Sequence, residues 1–319
     1  MKKYLLSGFM FLVFLTSLYG QSLTVEFEND LLQDDDSDYT HGSRFMWTTP
    51  ETLTPKWLSF LPGKTPFFRP GEGVYDYSVV LGQNMFTPDD ISATNLIIDD
   101  RPYAGYTYLG VIGRKTSKGQ NTFVEIDIGV VGPASLAEDT QIWWHEVVDA
   151  KEPQGWDNQL HNEPTLQIQY WESRGVTLLG EQEKWSLDMT PRIGGFLGNV
   201  QISGAVGADA RFGYNMPTSQ GPGVITPTSL TKGFKKRSYV YAFFGAEGRA
   251  CAWNIFLDGN TDGDSHSVDK EPLVSDVRTG IGFGIKDFNA VWTIIHRSEE
   301  YKEQDEAQEY TSIALTYRF

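Results

Sequence analysis

Two short stretches hold the side chains whose types and spacing suit chemistry best. In GPASLAEDTQIWWHEVVDAKEPQGWDNQLHNE, residues 132–163, Gln141 and His145 stand four apart. Ser135 followed three residues later by Glu138 has the form of a capping box, which predicts a short helix from Leu136 to Val148. On that helix Gln141 and His145 share a face. A neutral imidazole can take a proton from water, and a carboxamide beside it can orient that water or donate to a developing oxyanion. An exposed loop histidine would fit the same pattern, although His145 is one of only five histidines in the chain.

The second stretch, FENDLLQDDDSDYTHG at 27–42, packs five aspartates and a glutamate into sixteen positions. Asp34, Asp35, Asp36 and Asp38 lack the glycine and the closing glutamate of an EF-hand loop. They read as a solvated loop tip. Asn29 and Asp30 fall where one strand should end, and Thr40 where the next should begin, so these residues are expected to meet across neighbouring strands. Arg101, and less directly Lys151, has the charge to meet phosphate; an interior or rim salt bridge is the equal alternative for Arg101.

The elements that must position these residues are strands. In NTFVEIDIGVVG the apolar Val124, Ile126, Ile128 and Val130 alternate with Glu125, Asp127 and Gly129, and similar alternation runs through 165–170 and 185–193. Such polar partners are too strong for the interior of a soluble sandwich, whereas a membrane barrel wants that alternation. The chain ends on YTSIALTYRF, with Ile313, Leu315, Tyr317 and Phe319 on one face, which resembles the closing strand of Gram-negative outer-membrane barrels.

Strands are expected near 22–28, 40–49, 76–85, 104–114, 121–131, 164–173, 184–195, 200–214, 237–256, 273–285, 288–297 and 309–319. The expected fold is therefore all-β, a transmembrane antiparallel barrel of about twelve strands with a short helix in an extracellular loop. Trp47, Tyr106, Tyr108, Tyr170, Tyr239, Tyr241 and Tyr317 are candidates for its aromatic girdles. Two features fit poorly. Pro191 lies inside a strand, and 50–75 and 215–236 would be long periplasmic connections.

Residues 1–20, MKKYLLSGFMFLVFLTSLYG, have the charged start and apolar run of a secretory signal peptide, leaving 21–319 as the barrel. With 26 Lys and Arg against 42 Asp and Glu, the formal charge of −16 argues against nucleic acid as a partner. Cys251 is the only cysteine, so no internal disulfide can form.

Six motifs in order carry a resemblance: END with DYTHG at 28–30 and 38–42, DDRPYAG at 99–105, GVVGP at 129–133, Gln141-x-x-x-His145, GWDNQL at 155–160 and YVYAFFGAEGRA at 239–250. Together they resemble the outer-membrane lipid A 3′-O-deacylase family from about residue 22 to the C-terminus. The resemblance implies a twelve-stranded barrel that uses Ca²⁺ to hydrolyse the ester-linked 3′ acyloxyacyl group of lipid A. It places the site between the barrel wall and the outer leaflet, near the extracellular rim. The matched positions are Asn29, Asp30, Thr40, Gln141 and His145. The family's glutamate six residues after the histidine falls here on Lys151, so Glu152 takes that role only with a shift of one residue, and His41 replaces a small or amide residue.

The implied roles are His145 as general base, Asp30 and Glu152 near Ca²⁺, Gln141, Asn29 and Thr40 in the catalytic centre, and Arg101 and Lys151 toward lipid phosphates. The implied partners are lipopolysaccharide and outer-membrane lipid. An outer-membrane phospholipase and a non-catalytic barrel, porin or adhesin, are the alternatives. The phospholipase lacks an evident serine partner for the histidine, and no serine lies in a GxSxG context.

Overall fold

The computed structural model describes residues 22–29, 38–49, 74–117, 119–181, 183–217 and 238–319. The expected signal peptide, Asp30, the Asp34–Asp36 run and most of the two long connections, 50–73 and 218–237, lie outside the described residues. The strands are β1 (Ser22–Asn29), β2 (Asp38–Thr48), β3 (Val74–Thr87), β4 (Ala104–Ser117), β5 (Gln120–Val131), β6 (Glu163–Arg174), β7 (Val176–Gly180), β8 (Trp185–Gly198), β9 (Gln201–Tyr214), β10 (Tyr239–Asn254), β11 (Leu273–Ile285), β12 (Phe288–Arg297) and β13 (Gln308–Arg318). Each pairs antiparallel with its sequence neighbour except that β6 and β7 both pair with β8, and β1 pairs with β13 to close the sheet.

β7 is not a thirteenth barrel strand. Ser173 pairs with Arg192 and Val176 with Met189, so β7 prolongs β6 in register past Gly175, and the barrel has the twelve strands expected. Pro191 lies between those two paired stretches of β8, opposite the interruption, where its missing N–H breaks no ladder. The strand expected over 237–256 is β10, which stops at Asn254, whose side chain accepts from the Phe256 N–H at 3.2 Å and opens the short helix α2 (Ile255–Asp258); the longer helix α1 (Ala137–Val148) is the one foreseen in the connection 132–162.

Period-two alternation sorts the residues inside out relative to a soluble protein. Leu109, Ile128, Leu166, Ile193, Leu197 and Phe244 are exposed on the outer wall. The buried set is full of charge. Arg44 bonds Glu125 at 2.6 Å, Arg192 bonds Glu247 at 2.8 Å, and Asp276 takes Arg297 at 2.8 Å and Arg249 at 2.9 Å. These pairs, with the buried rings of Phe123 and Trp171, fill the lumen. A cavity of about 80 Å³ between Tyr39, Phe86, Tyr106 and Phe256 has room for a few waters.

Four residues expected in the aromatic girdles are lumenal instead: Tyr106, Tyr108, Tyr239 and Tyr241 are all buried. Bare glycines on the adjoining strand make room for the rings. A Cβ on Gly82 would come within 2.3 Å of the Tyr108 ring, and one on Gly282 within 2.3 Å of the Tyr241 ring. The outer-face aromatics gather at the end with the chain termini, where Trp185 stacks on Phe212 at 5.3 Å and Tyr317 meets Phe319 edge-on at 5.6 Å. The opposite end carries the connections 30–37, 88–103, 132–162, 199–200, 255–272 and 298–307.

Arg44 neutralises both Glu125 and Glu26, the latter at 3.7 Å. Arg44→Met leaves those carboxylates facing each other in the lumen and is expected to destabilise the barrel by about 3–5 kcal/mol. Urea unfolding in detergent would read this as a lower midpoint, largely recovered by pairing Arg44→Met with Glu125→Met.

Candidate functional site

The first part of the 132–162 connection, through α1, folds down the outside of the wall, and its end returns to the lumen mouth, where Leu160 packs. Gly132, at φ 97°, turns the chain, Pro133–Ser135 forms one 3₁₀ turn, and Leu136, at φ 60°, turns it again into α1. The Ser135 carbonyl accepts from Gln83 Nε2 at 2.8 Å and Thr107 Oγ1 at 2.7 Å. Gln83 and Thr107 belong to the outward faces of β3 and β4. Gly105 lets the turn lie flat on the wall, because a Cβ there would stand 2.2 Å from Ser135 Oγ and 2.3 Å from Ala137 Cβ. The expected capping box is absent: the N-cap is the left-handed Leu136, with no side-chain cap bond. The Ser135 carbonyl is held by the wall, and its Oγ accepts from the Ala137 N–H at 3.4 Å.

The inner face of α1 carries Ala137, Gln141 and His145, all buried. Ala137 packs with Met85, Tyr103 and Trp156, and on the other side Trp144 meets Phe27 of β1 at 6.1 Å between ring centroids. Opposite this face, Asn29 at 6%, Thr40 at 2% and Thr87 at 0% exposure are polar yet enclosed. Met85 and Thr87 alternate with the lumenal Phe86 and so face outward. The β2–β3 register slips between Asp38 and His41, a bulge of the kind that re-aims side chains. It brings Thr40 Oγ1 to Thr87 Oγ1 at 2.6 Å. Asn29 Nδ2 donates to the Thr40 carbonyl at 2.7 Å.

Three polar groups have their orientation fixed by partners that can play only one role. A carbonyl only accepts, so Asn29 turns Nδ2 to Thr40 and its Oδ1 the other way. An indole N–H only donates, so Trp156 Nε1, 2.8 Å from Gln141 Oε1, turns the Gln141 amide to present Nε2 elsewhere. That Nε2 is buried with no partner among the described residues. The Lys151 carbonyl accepts from His145 Nδ1, which places the imidazole proton on Nδ1 and the lone pair of the neutral ring on Nε2. Asp149, at φ 57°, reverses the chain after α1 and brings Lys151 back to His145.

The helix α1 thus runs along the wall from Gly105 to Phe27, with Gln141 and His145 on its inner face and Asn29 and Thr40 buried on the wall. Of the other expected residues, Arg101 is turned away from them. Arg101 is fully buried, paired with Glu300 at 3.5 Å and lying over Phe86 at 5.0 Å; it is the interior ion pair, not a group on the lipid side. Lys151 is exposed and its Nζ donates to Ser92 Oγ. Hydrogen bonds from the Ser92 hydroxyl and backbone N–H, with Lys151 close by, hold the Asp90 carboxyl below its ordinary range. Glu152 is exposed on the loop after α1. Among the described residues no three Asp, Glu, His or Cys side chains gather as a metal group, and Asp30 lies outside them.

Trp156, Thr87 and the Lys151 carbonyl were not singled out from the sequence. Trp156 sits in the GWDNQL motif, where a tryptophan in a polar loop was its one signal. The other two act through a common hydroxyl and a backbone atom, which carry no sequence signature.

A closed twelve-stranded barrel with an apolar outer face, a charged and filled lumen, and a helix laid along its outer wall is an outer-membrane barrel. The chain belongs to the family described as outer membrane protein LpxR, whose model matches residues 5–319. The structure of LpxR from Salmonella typhimurium aligns with a TM-score of 0.77 at 18% identity, covering 93% of this chain and 100% of that one. The β domain of the Bordetella autotransporter BrkA aligns at 0.45 and 9% identity, covering 94% and 99%, and the KdgM porin at 0.36 and 7%, covering 93% and 99%. No curated protein sequence matches the chain.

Gly105→Leu is expected to lift the 132–136 turn and α1 from the wall without opening the barrel. Limited proteolysis would show it as new cleavage between 132 and 162, with the heat-dependent gel mobility of the folded barrel retained.

Proposed function

We propose that the chain is a lipid A 3′-O-deacylase, a Ca²⁺-dependent ester hydrolase working at the outer leaflet, with the end that bears the 132–162 connection outside the cell. One observation carries this reading. His145 is buried on the inner face of α1 and donates from Nδ1 to a backbone carbonyl, so the neutral ring carries its lone pair on Nε2. Family membership and the deacylase motifs in the sequence supply the substrate class.

In this mechanism His145 Nε2 takes a proton from water as the oxygen attacks the ester carbonyl, a contribution of about 10²–10⁴-fold. The bond between the acyl carbon and the sugar's 3′ oxygen then breaks. The alkoxide leaves as the 3′-hydroxyl by taking the proton back from His145, and the acyl group leaves as a carboxylic acid. Gln141 Nε2, buried and aimed by Trp156, donates to the oxygen on which charge develops. Asn29, held by Thr40, presents Oδ1 toward the same seam, and the Thr40–Thr87 hydroxyl pair fixes the strand edge beneath it.

The site offers the hard oxygen donors that Ca²⁺ takes: the Asn29 amide oxygen, the Asp30 carboxylate next to it in sequence and, from the exposed loop, Glu152. When bound there, Ca²⁺ supplies positive charge for the developing oxyanion.

His145→Ala is expected to abolish loss of the 3′ acyl or acyloxyacyl mass from lipid A of expressing cells, while the barrel still assembles. The parent protein is expected to lose the activity on chelation and regain it with Ca²⁺. An unchanged lipid A mass with the folded parent protein and Ca²⁺ present contradicts the reading. Trp156→Phe keeps a ring but releases the Gln141 amide; it is expected to lower kcat about 10²–10³-fold, the cost of one oxyanion donor, with KM little changed.

A further inference from the structure

The face of α1 turned away from the wall carries both apolar and acidic side chains. At 3.6 residues per turn, Trp143 and Val147 fall on one flank, with Trp144 at its edge and Leu136 at the helix start. Leu136 is 49% exposed, Trp143 55% and Val147 58%. Asp139 and Glu146 are also exposed and fall on the other flank, with Glu138 beside them. The helix is therefore amphipathic twice over: its inner face is spent on the wall, and its outer side is divided into an apolar strip and an acidic one.

Two contacts fix which way each strip points. Trp144 meets Phe27, an outward-facing residue two positions farther from the rim than Asn29. The Trp flank therefore points along the wall toward the middle of the barrel, where Leu109, Ile126 and Ile128 lie exposed on the outer face. The acidic flank points to the rim, where Glu138 Oε2 accepts from Gln159 Nε2 at 3.3 Å. The apolar strip is thus continuous with the lipid-facing wall.

We propose that α1 is an interfacial membrane helix. Leu136, Trp143, Trp144 and Val147 are embedded among the acyl chains of the outer-membrane leaflet, and Glu138, Asp139 and Glu146 stay in water. A helix with one apolar flank and tryptophans at the boundary has the form that lies in an interface, and tryptophan favours that depth. The occupant of the strip is lipid hydrocarbon rather than a second copy of the chain, because the strip extends a surface that the barrel must already present to lipid. The helix holds the seam between His145 and Asn29 at the depth where acyl chains meet their polar carriers. The proposal needs the barrel to be in a membrane but does not need the deacylase reaction, so the two can fail separately.

The test uses the full chain with Cys251→Ala, refolded into phosphatidylcholine vesicles, with a spin label at Val147→Cys or at Glu146→Cys and a reference label on the wall at Leu109→Cys. Oxygen concentrates in hydrocarbon and a nickel chelate stays in water. The expected result is a several-fold higher oxygen-to-nickel accessibility ratio at 147 than at 146, with 147 approaching the value at 109. Equal ratios at 146 and 147, both matching water, would overturn the proposal. As a label-free measurement, brominated phosphatidylcholine should quench the fluorescence difference between the parent protein and Trp143→Tyr. A difference signal that only aqueous iodide quenches would overturn it as well.

Discussion

Hydrocarbon offers no hydrogen bonds, and that constraint shapes both surfaces of this molecule. Every strand must be paired, so the sheet closes between β1 and β13. Polar side chains must turn inward, so the lumen fills with arginine and carboxylate pairs. A polar group left on the outer wall needs a roof. Asn29, Thr40 and Thr87 are such groups, and α1 with its flanking turns is the roof. The loop fastened by Gln83, Thr107 and the bare Gly105 is therefore as much a condition of the fold as of the chemistry: without it, three polar side chains would face lipid.

The same enclosure makes the seam a place for chemistry. Each polar group there is oriented by a single partner with a single role: Asn29 by a carbonyl, Gln141 by an indole N–H and His145 by the Lys151 carbonyl. Orientation settled in advance needs no rearrangement when charge develops in a reaction, and burial strengthens the response. The two halves of the seam come from parts of the chain about a hundred residues apart. They meet because β1 and β2 form one stretch of wall and the 132–162 connection folds over it.

Strands were legible in the sequence because period-two alternation is a local signal, and the alternation in 124–130 and 313–319 needs only that one face be lipid and the other lumen. The face taken by an aromatic was harder to read. Tyr108 and Tyr241 have the composition of girdle residues, and only the cross-strand glycines at Gly82 and Gly282 reveal that the rings lie inside. The helix was foreseen at nearly its true length, but its supposed cap, Ser135, is held by the wall. Asn29, Thr40, Gln141 and His145 were named from motifs, and all four are buried. Arg101 misled because a rim arginine and a lumenal one look alike until Glu300 is placed beside it. Trp156 escaped because its role is to turn another residue's amide.

The central claim is that the ester is cleaved in the seam between α1 and the outer wall. The most direct measurement is a structure of the full chain with a lipid A analogue whose 3′ ester is replaced by an amide. The account predicts the amide carbonyl within hydrogen-bond distance of Gln141 Nε2, with a water between it and His145 Nε2. An analogue bound in the lumen, or on the wall away from α1, would contradict it.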